Sequence, residues 1–226
     1  MIEPKRQRGI KTRDRIAYAA ALEFAEHGYA GTSYGSIAQR AGVTRGIVQN
    51  WAPAKNQLAE YVVDQVFVGG GFAAASRSAH LTGVDQLLFS AWNLAAQIID
   101  DPMIRGALRL LGEWRVINSP EPKRFTGWID LASGDLSSAV SAGDMPSELN
   151  CDEVAWLLIA AFMGVKTMTE SLGTFDTFQE RCMDILFSVL RGNGYQGTIE
   201  NPVAHVKELV DVQEAVLADS GSPHAF

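Results

Sequence analysis

Between residues 12 and 27 the apolar side chains Ile16, Ala20 and Phe24 recur four apart, with Ala19 beside them, while Arg13, Glu23 and Glu26 fall elsewhere on the turn. That is the period of an amphipathic helix, and Gly28 ends it. A second, shorter helix follows over SYGSIAQRA, with Thr32 or Ser33 as its N-cap and Ile37, Ala38 and Ala41 as its buried stripe. Gly42 supplies a position past the helix end where a positive φ costs little. Val43 fills the corner, Thr44 can cap a third helix, RGIVQNW, and Pro53 closes it. Lys55 opens a fourth, in which Leu58, Val62 and Val66 keep the four-residue spacing. Two short helices joined through a glycine turn form the pattern of a helix-turn-helix.

The remaining chain keeps helical spacing and shows neither strand-like alternation nor an internal repeat, so an all-α fold is expected. Helices are predicted over residues 84–99, 102–117, with Asp101 as cap and Pro102 in the first position, and 125–141, after the proline-rich loop SPEPKR. Asn150 and Glu153 make a capping-box-like start for a long helix to about residue 171. Another runs from Thr174 through Phe178, Cys182, Ile185 and Val189 to Gly192. A loop over residues 194–202 precedes a last helix over 205–218 and a loose tail. The glycine run at 69–71 lacks the spacing of a phosphate-cradling loop and reads as a helix break. Two domains are expected: a head over residues 1–56 with a basic N-terminal arm, and a larger helical domain over 57–226.

Charge gives the head a partner. Net charge is −7 over 226 residues, yet residues 1–56 carry nine Lys or Arg against four acidic residues, which leaves ten against twenty-two for the rest. A basic head on an acidic body is the distribution of a nucleic-acid-binding module joined to something that should avoid phosphate. The longest apolar run, residues 154–165, stops at Lys166, well short of the roughly 20 residues that cross a bilayer. No apolar leader follows the basic N-terminus, so a cytoplasmic location and no membrane partner are expected. Cys151 and Cys182 form no CxxC pair, and His27, His80, His205 and His224 stand in no metal or triad spacing. No metal, no cofactor and no enzymatic activity are therefore expected.

The N-terminal helix with paired Ala and Phe, then HGYAGTS, SIAQRAGVTRG and a Lys eleven residues after Thr44, followed by helices only, resembles the TetR family of transcriptional regulators. Farther on, DDPMIRGALRLL, PKRFTGW and AAFMGVKTM are similar to one branch of it, the γ-butyrolactone-type autoregulator receptors of actinomycetes. The resemblance implies an all-α homodimer that represses from double-stranded operator DNA and is released by a small apolar effector, a γ-butyrolactone or butenolide. The alternative within the same fold is a drug- or antibiotic-sensing regulator, or a pseudo-receptor with altered DNA reading.

A recognition helix has to present side chains to base edges and hold its register through phosphates. Arg45, in the first turn of RGIVQNW, suits a bidentate contact with guanine. Gly46 either lets backbone approach backbone or marks a tight helix crossing, and the hydroxyls of Ser33 and Thr44 either meet phosphate or only cap helices. Lys55, at a helix N-terminus, and Lys11, in the basic arm with Lys5, Arg6 and Arg8, suit phosphates. The family usually has Tyr, any residue, His and Phe ahead of that Lys, whereas Gln49, Asn50, Trp51 and Ala52 stand here. Gln49 and Asn50 can each read adenine through paired hydrogen bonds, and Trp51 can supply the missing Phe volume, so the departure either redirects or weakens DNA reading.

For the effector, the receptor branch has a Trp over its ligand at the place of Trp128, and Phe89 supplies apolar wall. Gln65 and Asn93 are amides on otherwise apolar faces, the kind of group that orients a carbonyl or hydroxyl in a greasy pocket. The branch often carries Thr where Val165 stands. The dimer is expected through residues 150–171 and 174–191, the most apolar long helices, so that a charge at Leu158 or Ile185 should break it.

Overall fold

The computed structural model describes residues 3–67, 76–117 and 124–219, with side chains described over 11–67, 76–117, 126–216. The glycine run at 69–71, most of the SPEPKR loop, the C-terminal tail and the side chains of Lys5, Arg6 and Arg8 lie outside the described residues. Eleven α-helices and one 3-10 turn are present among the described residues, with no strand. The chain divides into two compact units, residues 1–71 with 97–122 and residues 72–96 with 123–226. The expected division after residue 56 thus falls inside the first unit.

In the first unit, α1 (Glu3–Gly31) starts well before residue 12 and is broken at Gly28, whose φ of 70° and ψ of 179° leave the helical region. Its apolar stripe, Ile16, Ala17, Ala20, Ala21 and Phe24, is buried. The stripe packs on α2 (Tyr34–Ala41), α4 (Lys55–Phe67) and above all α6 (Pro102–Gly112). The α1–α6 crossing is close. A Cβ added at Gly106 would fall well inside 3 Å of the Ala21 carbonyl oxygen and 2.9 Å from its carbonyl carbon.

Ser33 caps α2: its hydroxyl accepts from Ser36 N at 3.1 Å, and the Ser36 hydroxyl accepts from Ser33 N, the reciprocal arrangement of a capping box. Thr32, the other candidate cap, instead donates its hydroxyl to the Gly28 carbonyl at 2.7 Å. Gly42 ends α2 at φ 63°, and Arg15 donates to the carbonyls of Ala41 and Gly42 there. α3 (Arg45–Trp51) follows, with Thr44 in the N-cap position but without a side-chain cap bond.

The helix predicted over 102–117 divides in two. α6 ends at Gly112, Glu113 leaves helical geometry, and α7 (Trp114–Ile117) begins after it. The Glu113 carboxylate is engaged at the break in α1, a use that spacing within its own helix could not disclose.

The second unit contains most of α5 (Gly83–Asp100), with α8 (Arg124–Ala142), α9 (Cys151–Leu172), α10 (Phe178–Gly192) and α11 (Pro202–Asp219). Asn150 caps α9 by accepting from Glu153 N at 3.2 Å, and Gly173 closes it at φ 69°. Residues Phe175–Thr177 form a 3-10 turn, so α10 starts four residues after Thr174. α11 starts at Pro202 rather than His205, because Asn201 caps it, accepting from Ala204 N at 3.0 Å, with proline in the first helical position. α9 and α10 pack on each other, and α9 packs on α8. Cys182 of α10 is fully buried, and burial pushes its thiol far above the usual range.

Candidate functional site

On α3 the apolar and polar positions separate cleanly. Val48 alone is buried and anchors the helix to the unit behind it, while Arg45, Gly46, Gln49 and Asn50 are exposed. Ile47 is exposed as well, 44% of its surface being open, an orientation that spacing within a helix of seven residues does not disclose. Trp51 packs edge-on against Tyr61 of α4, with ring centroids 4.8 Å apart, which fills the corner between α3 and α4. The neighbouring Ala52 is buried, and its carbonyl accepts the Tyr34 hydroxyl at 2.8 Å. Trp51 is therefore a packing residue. A Cβ at Gly46 would meet nothing nearer than the Thr44 hydroxyl at 4.0 Å, so no tight helix crossing requires glycine there.

A surface notch lies beside this helix, lined by Thr32, Ser33, Tyr34, Gly35, Arg45 and Lys55. Lys55 donates its ammonium to the carbonyls of Tyr29 at 2.7 Å and Thr32 at 3.0 Å and sits 4.3 Å over the Tyr29 ring. Those contacts use two of the three ammonium donors to close the turn after α1. Partial burial lowers its pKa. Lys11 and Arg13 are exposed on α1. Arg40 is engaged within the unit: it bonds Glu23 at 2.6 Å and forks onto Glu26 at 2.5 and 2.9 Å, tying α2 to α1. That fork holds the Glu26 carboxyl below its ordinary value.

The break in α1 is held from α6. Leaving the helix at Gly28 deprives the Tyr29 N–H and the Ala25 carbonyl of intrahelical partners. Glu113 accepts from Tyr29 N at 2.7 Å, Arg109 donates to the Ala25 carbonyl at 2.8 Å, and the two side chains meet at 3.2 Å. The direction in which the chain leaves α1 toward the helix-turn-helix is thus set by two charged groups, Arg109 in the last turn of α6 and Glu113 at its C-cap.

The second unit holds a partly open cavity of about 70 Å³, several times the roughly 10 to 15 Å³ that seats one water. Its walls are apolar: Leu88, Ala91 and Leu94 of α5, Trp128 and Leu131 of α8, Leu158 and Phe162 of α9, Leu186 of α10. Three polar residues interrupt them. Arg77 and Asp135 form a two-pronged ion pair, at 2.7 and 2.6 Å, and Ser90 accepts from the fully buried Gln86 amide at 2.6 Å. Gln86 in turn accepts from Ser78 N at 3.3 Å.

Residues 16–62 match the model of the bacterial regulatory proteins of the tetR family, and residues 81–193, half of the chain, match the tetracyclin repressor-like C-terminal domain. The chain belongs to the TetR family. The A-factor receptor protein of Streptomyces griseus is 22% identical over 203 residues, 90% of this chain and 70% of the relative. The solved structure of CprB, a TetR family protein of S. coelicolor A3(2), is 26% identical with a TM-score of 0.71, covering 82% of this chain and 89% of CprB. A structure described as a γ-butyrolactone receptor, an ArpA-like protein, shares the fold at 23% identity and a TM-score of 0.71, covering 92% of this chain and 99% of its own.

With the TetR framework in hand, the predicted side chains sort plainly. The structure brings Ser33, Arg45 and Lys55 to one notch and leaves Gln49 and Asn50 exposed on α3. Of the five residues expected around an effector, Trp128 lines the cavity. Gln65 is exposed on α4 in the first unit, and Phe89, Asn93 and Val165 are not among the lining residues. The polar groups actually at the wall are Arg77, Ser90 and Asp135. Asp135 could have been found: Trp128, Leu131, Ala132 and Asp135 follow i, i+3, i+4, i+7, so the carboxylate closes the apolar stripe of this TetR helix. No helix among the described residues is long and apolar enough to cross a membrane.

Proposed function

We propose that this TetR-type regulator is a homodimeric repressor that sits on operator DNA through α3 and lets go when a small, mostly apolar effector of the γ-butyrolactone or butenolide kind enters the Trp128 cavity. The observation that carries the reading is the pairing of an exposed, uncharged-to-basic recognition helix in one unit with an apolar cavity faced by an indole in the other. Arg45 reads guanine, Gln49 and Asn50 read adenine, and Ile47 offers an apolar contact to a thymine methyl. Ser33, Thr44, Lys11 and the third donor of Lys55 hold phosphates, and Gly46 lets the backbone come near. Such a repressor works in the cytoplasm, where its operator is.

Release follows from chain continuity. α5 lines the cavity with Leu88, Ala91 and Leu94, and its residues from Gln97 onward belong to the first unit and lead through Asp101 into α6. A shift of α5 reaches α6, and α6 holds the break in α1. Two recognition helices must fit half-sites about 34 to 36 Å apart, so a small displacement in each protomer unseats the pair. The effector acts only through its different affinity for the two states.

In a gel-shift assay Arg45→Ala is expected to lose about 1 to 3 kcal/mol of discrimination between operator and altered sites. Lys11→Ala should instead weaken all DNA equally and reduce the salt slope by about one. Equal loss of discrimination in both would overturn these roles.

The homodimer is proposed to form on α9. Trp156, Ala160, Gly164, Met168 and Leu172 recur every four residues and are all exposed, with Trp156 at 55%, Met168 at 63% and Leu172 at 69%. An uncharged stripe of this kind is the face of a helix made to be covered, and a stable interface needs about 800 Å² from each partner. Leu158, from which a charge was expected to break the dimer, lines the cavity and is buried, so it reports on the cavity; Ile185 of α10 is exposed. Trp156→Glu combined with Met168→Glu should sediment as a folded monomer. A folded mutant that stays dimeric places the interface on another face.

A further inference from the structure

An apolar cavity has no need of charge, yet this one has a buried carboxylate and a half-buried guanidinium at its wall. Asp135 exposes 8% of its side chain and Arg77 29%, and they meet in a bidentate fork that uses one N–H of each terminal guanidinium nitrogen. Taking a carboxylate out of water is costly unless it is paired and hydrogen-bonded. Pairing satisfies that requirement and makes the wall electrically neutral. What remains is an asymmetric polar spot. The guanidinium has five N–H donors, of which the fork engages two, and the carboxylate oxygens have lone pairs beyond those the fork occupies.

Resting on the reading of this cavity as the effector site, we propose that the Arg77–Asp135 pair is its charge filter and polar anchor, admitting a neutral effector with a carbonyl for Arg77 and a hydroxyl for Asp135 and excluding one that carries a carboxylate. The reasoning is electrostatic. A carboxylate entering at the fork meets a cation already neutralised and stands beside the Asp135 charge, an arrangement of like charges that a low-dielectric wall penalises. A cation meets the mirror-image difficulty at Arg77. A neutral donor and acceptor meet neither, because both halves of the fork keep hydrogen-bonding capacity without giving up the pair. Trp128, seven residues before Asp135 on the same face of α8, supplies the apolar surface for the rest of the molecule. The filter separates a lactone from its own hydrolysis product, since ring opening turns the neutral ester into a hydroxy acid ionised at neutral pH.

The test uses the full chain with γ-octalactone and the sodium salt of its ring-opened form, 4-hydroxyoctanoate, each titrated by calorimetry and followed by tryptophan fluorescence. Wild type should bind the lactone at least about tenfold more tightly than the acid. Asp135→Asn keeps size and shape but leaves the Arg77 cation uncompensated, so it should bind the acid at least about tenfold more tightly than wild type does while lactone affinity falls less. Should that variant fail to fold, Arg77→Met with Asp135→Leu replaces the pair by apolar volume, a change that buried ion pairs often tolerate. Here the acid is kept out by the apolar wall alone, the lactone should weaken at least about tenfold for want of its anchor, and undiminished lactone binding overturns the proposal. Equal binding of lactone and acid by wild type, or no gain of acid binding in a folded Asp135→Asn, overturns the filter and leaves the effector reading intact. Binding of neither compound by wild type overturns the effector reading of this cavity, and the filter with it.

Discussion

Gly106→Ala is expected to lower the melting temperature by about 4 to 8 °C, which corresponds to about 2 kcal/mol for a chain of this size. The added methyl would lie 2.9 Å from the Ala21 carbonyl carbon and 3.0 Å from its Cα, closer still to the oxygen, and every one of these atoms is backbone. Side chains can rotate away, but here a helix axis must move. Overpacking of a fitted site costs about 1 to 3 kcal/mol and more when the backbone shifts, whereas the gain in helix propensity from Gly to Ala is only about 0.8 to 1.0 kcal/mol. Loss wins. Gly112 is the control on the same helix: a Cβ there meets nothing within 4 Å, so Gly112→Ala should keep or raise the melting temperature. Thermal unfolding followed by circular dichroism decides between the two, and an unchanged Gly106→Ala would mean that α1 and α6 are not held at this crossing. Because α6 also holds the break at Gly28, operator affinity should fall with stability in Gly106→Ala and not in Gly112→Ala.

Trp128→Ala should give a folded protein that shifts operator DNA and no longer releases it on addition of effector. Removing an indole from a solid core costs about 3 to 5 kcal/mol through lost transfer energy and the new cavity. Trp128 is buried but borders space that is already empty, so fewer packing contacts are lost and the cost should fall below that range. Stability and response therefore separate. A mutant that unfolds at ordinary temperature makes Trp128 core, and one that responds as wild type does removes it from the effector wall.

The helices were readable because their apolar residues recur against a polar background. α1, α2 and α4 show that contrast, and their buried residues Ile16, Phe24, Ile37, Leu58 and Val62 are those the spacing selects. Contrast fails on α9, where residues 154–165 are apolar on every side: Leu158 faces the cavity and Trp156 the solvent, and no periodicity tells them apart. The same limit displaced the expected effector groups. Gln65 and Asn93 stood out as amides on apolar helices, but whether a face meets a cavity, a core or water depends on its neighbours. Gln86, which is fully buried, looks in sequence like an ordinary polar position, and only Asp135 betrays itself by closing an apolar stripe. Long-range use of a charge is equally silent, as with Glu113, which pairs with a backbone group 84 residues away.

That last contact bears on how the molecule could be taken apart and recombined. A fragment ending at residue 56, or at 71, would retain α1 but lose Arg109, Glu113 and the Gly106 crossing, so the Tyr29 N–H and the Ala25 carbonyl would be stripped of their partners and the Ala21 stripe laid open. The DNA-reading segment is therefore not a portable cassette. A chimera that joins this head to the body of another regulator inherits a foreign α6, and it works only if that helix brings a glycine at the crossing and an acid and a base at its end. Heads and their α6 helices have to be exchanged together, although the 34 residues 68–101 separate the end of α4 from the start of α6 in sequence.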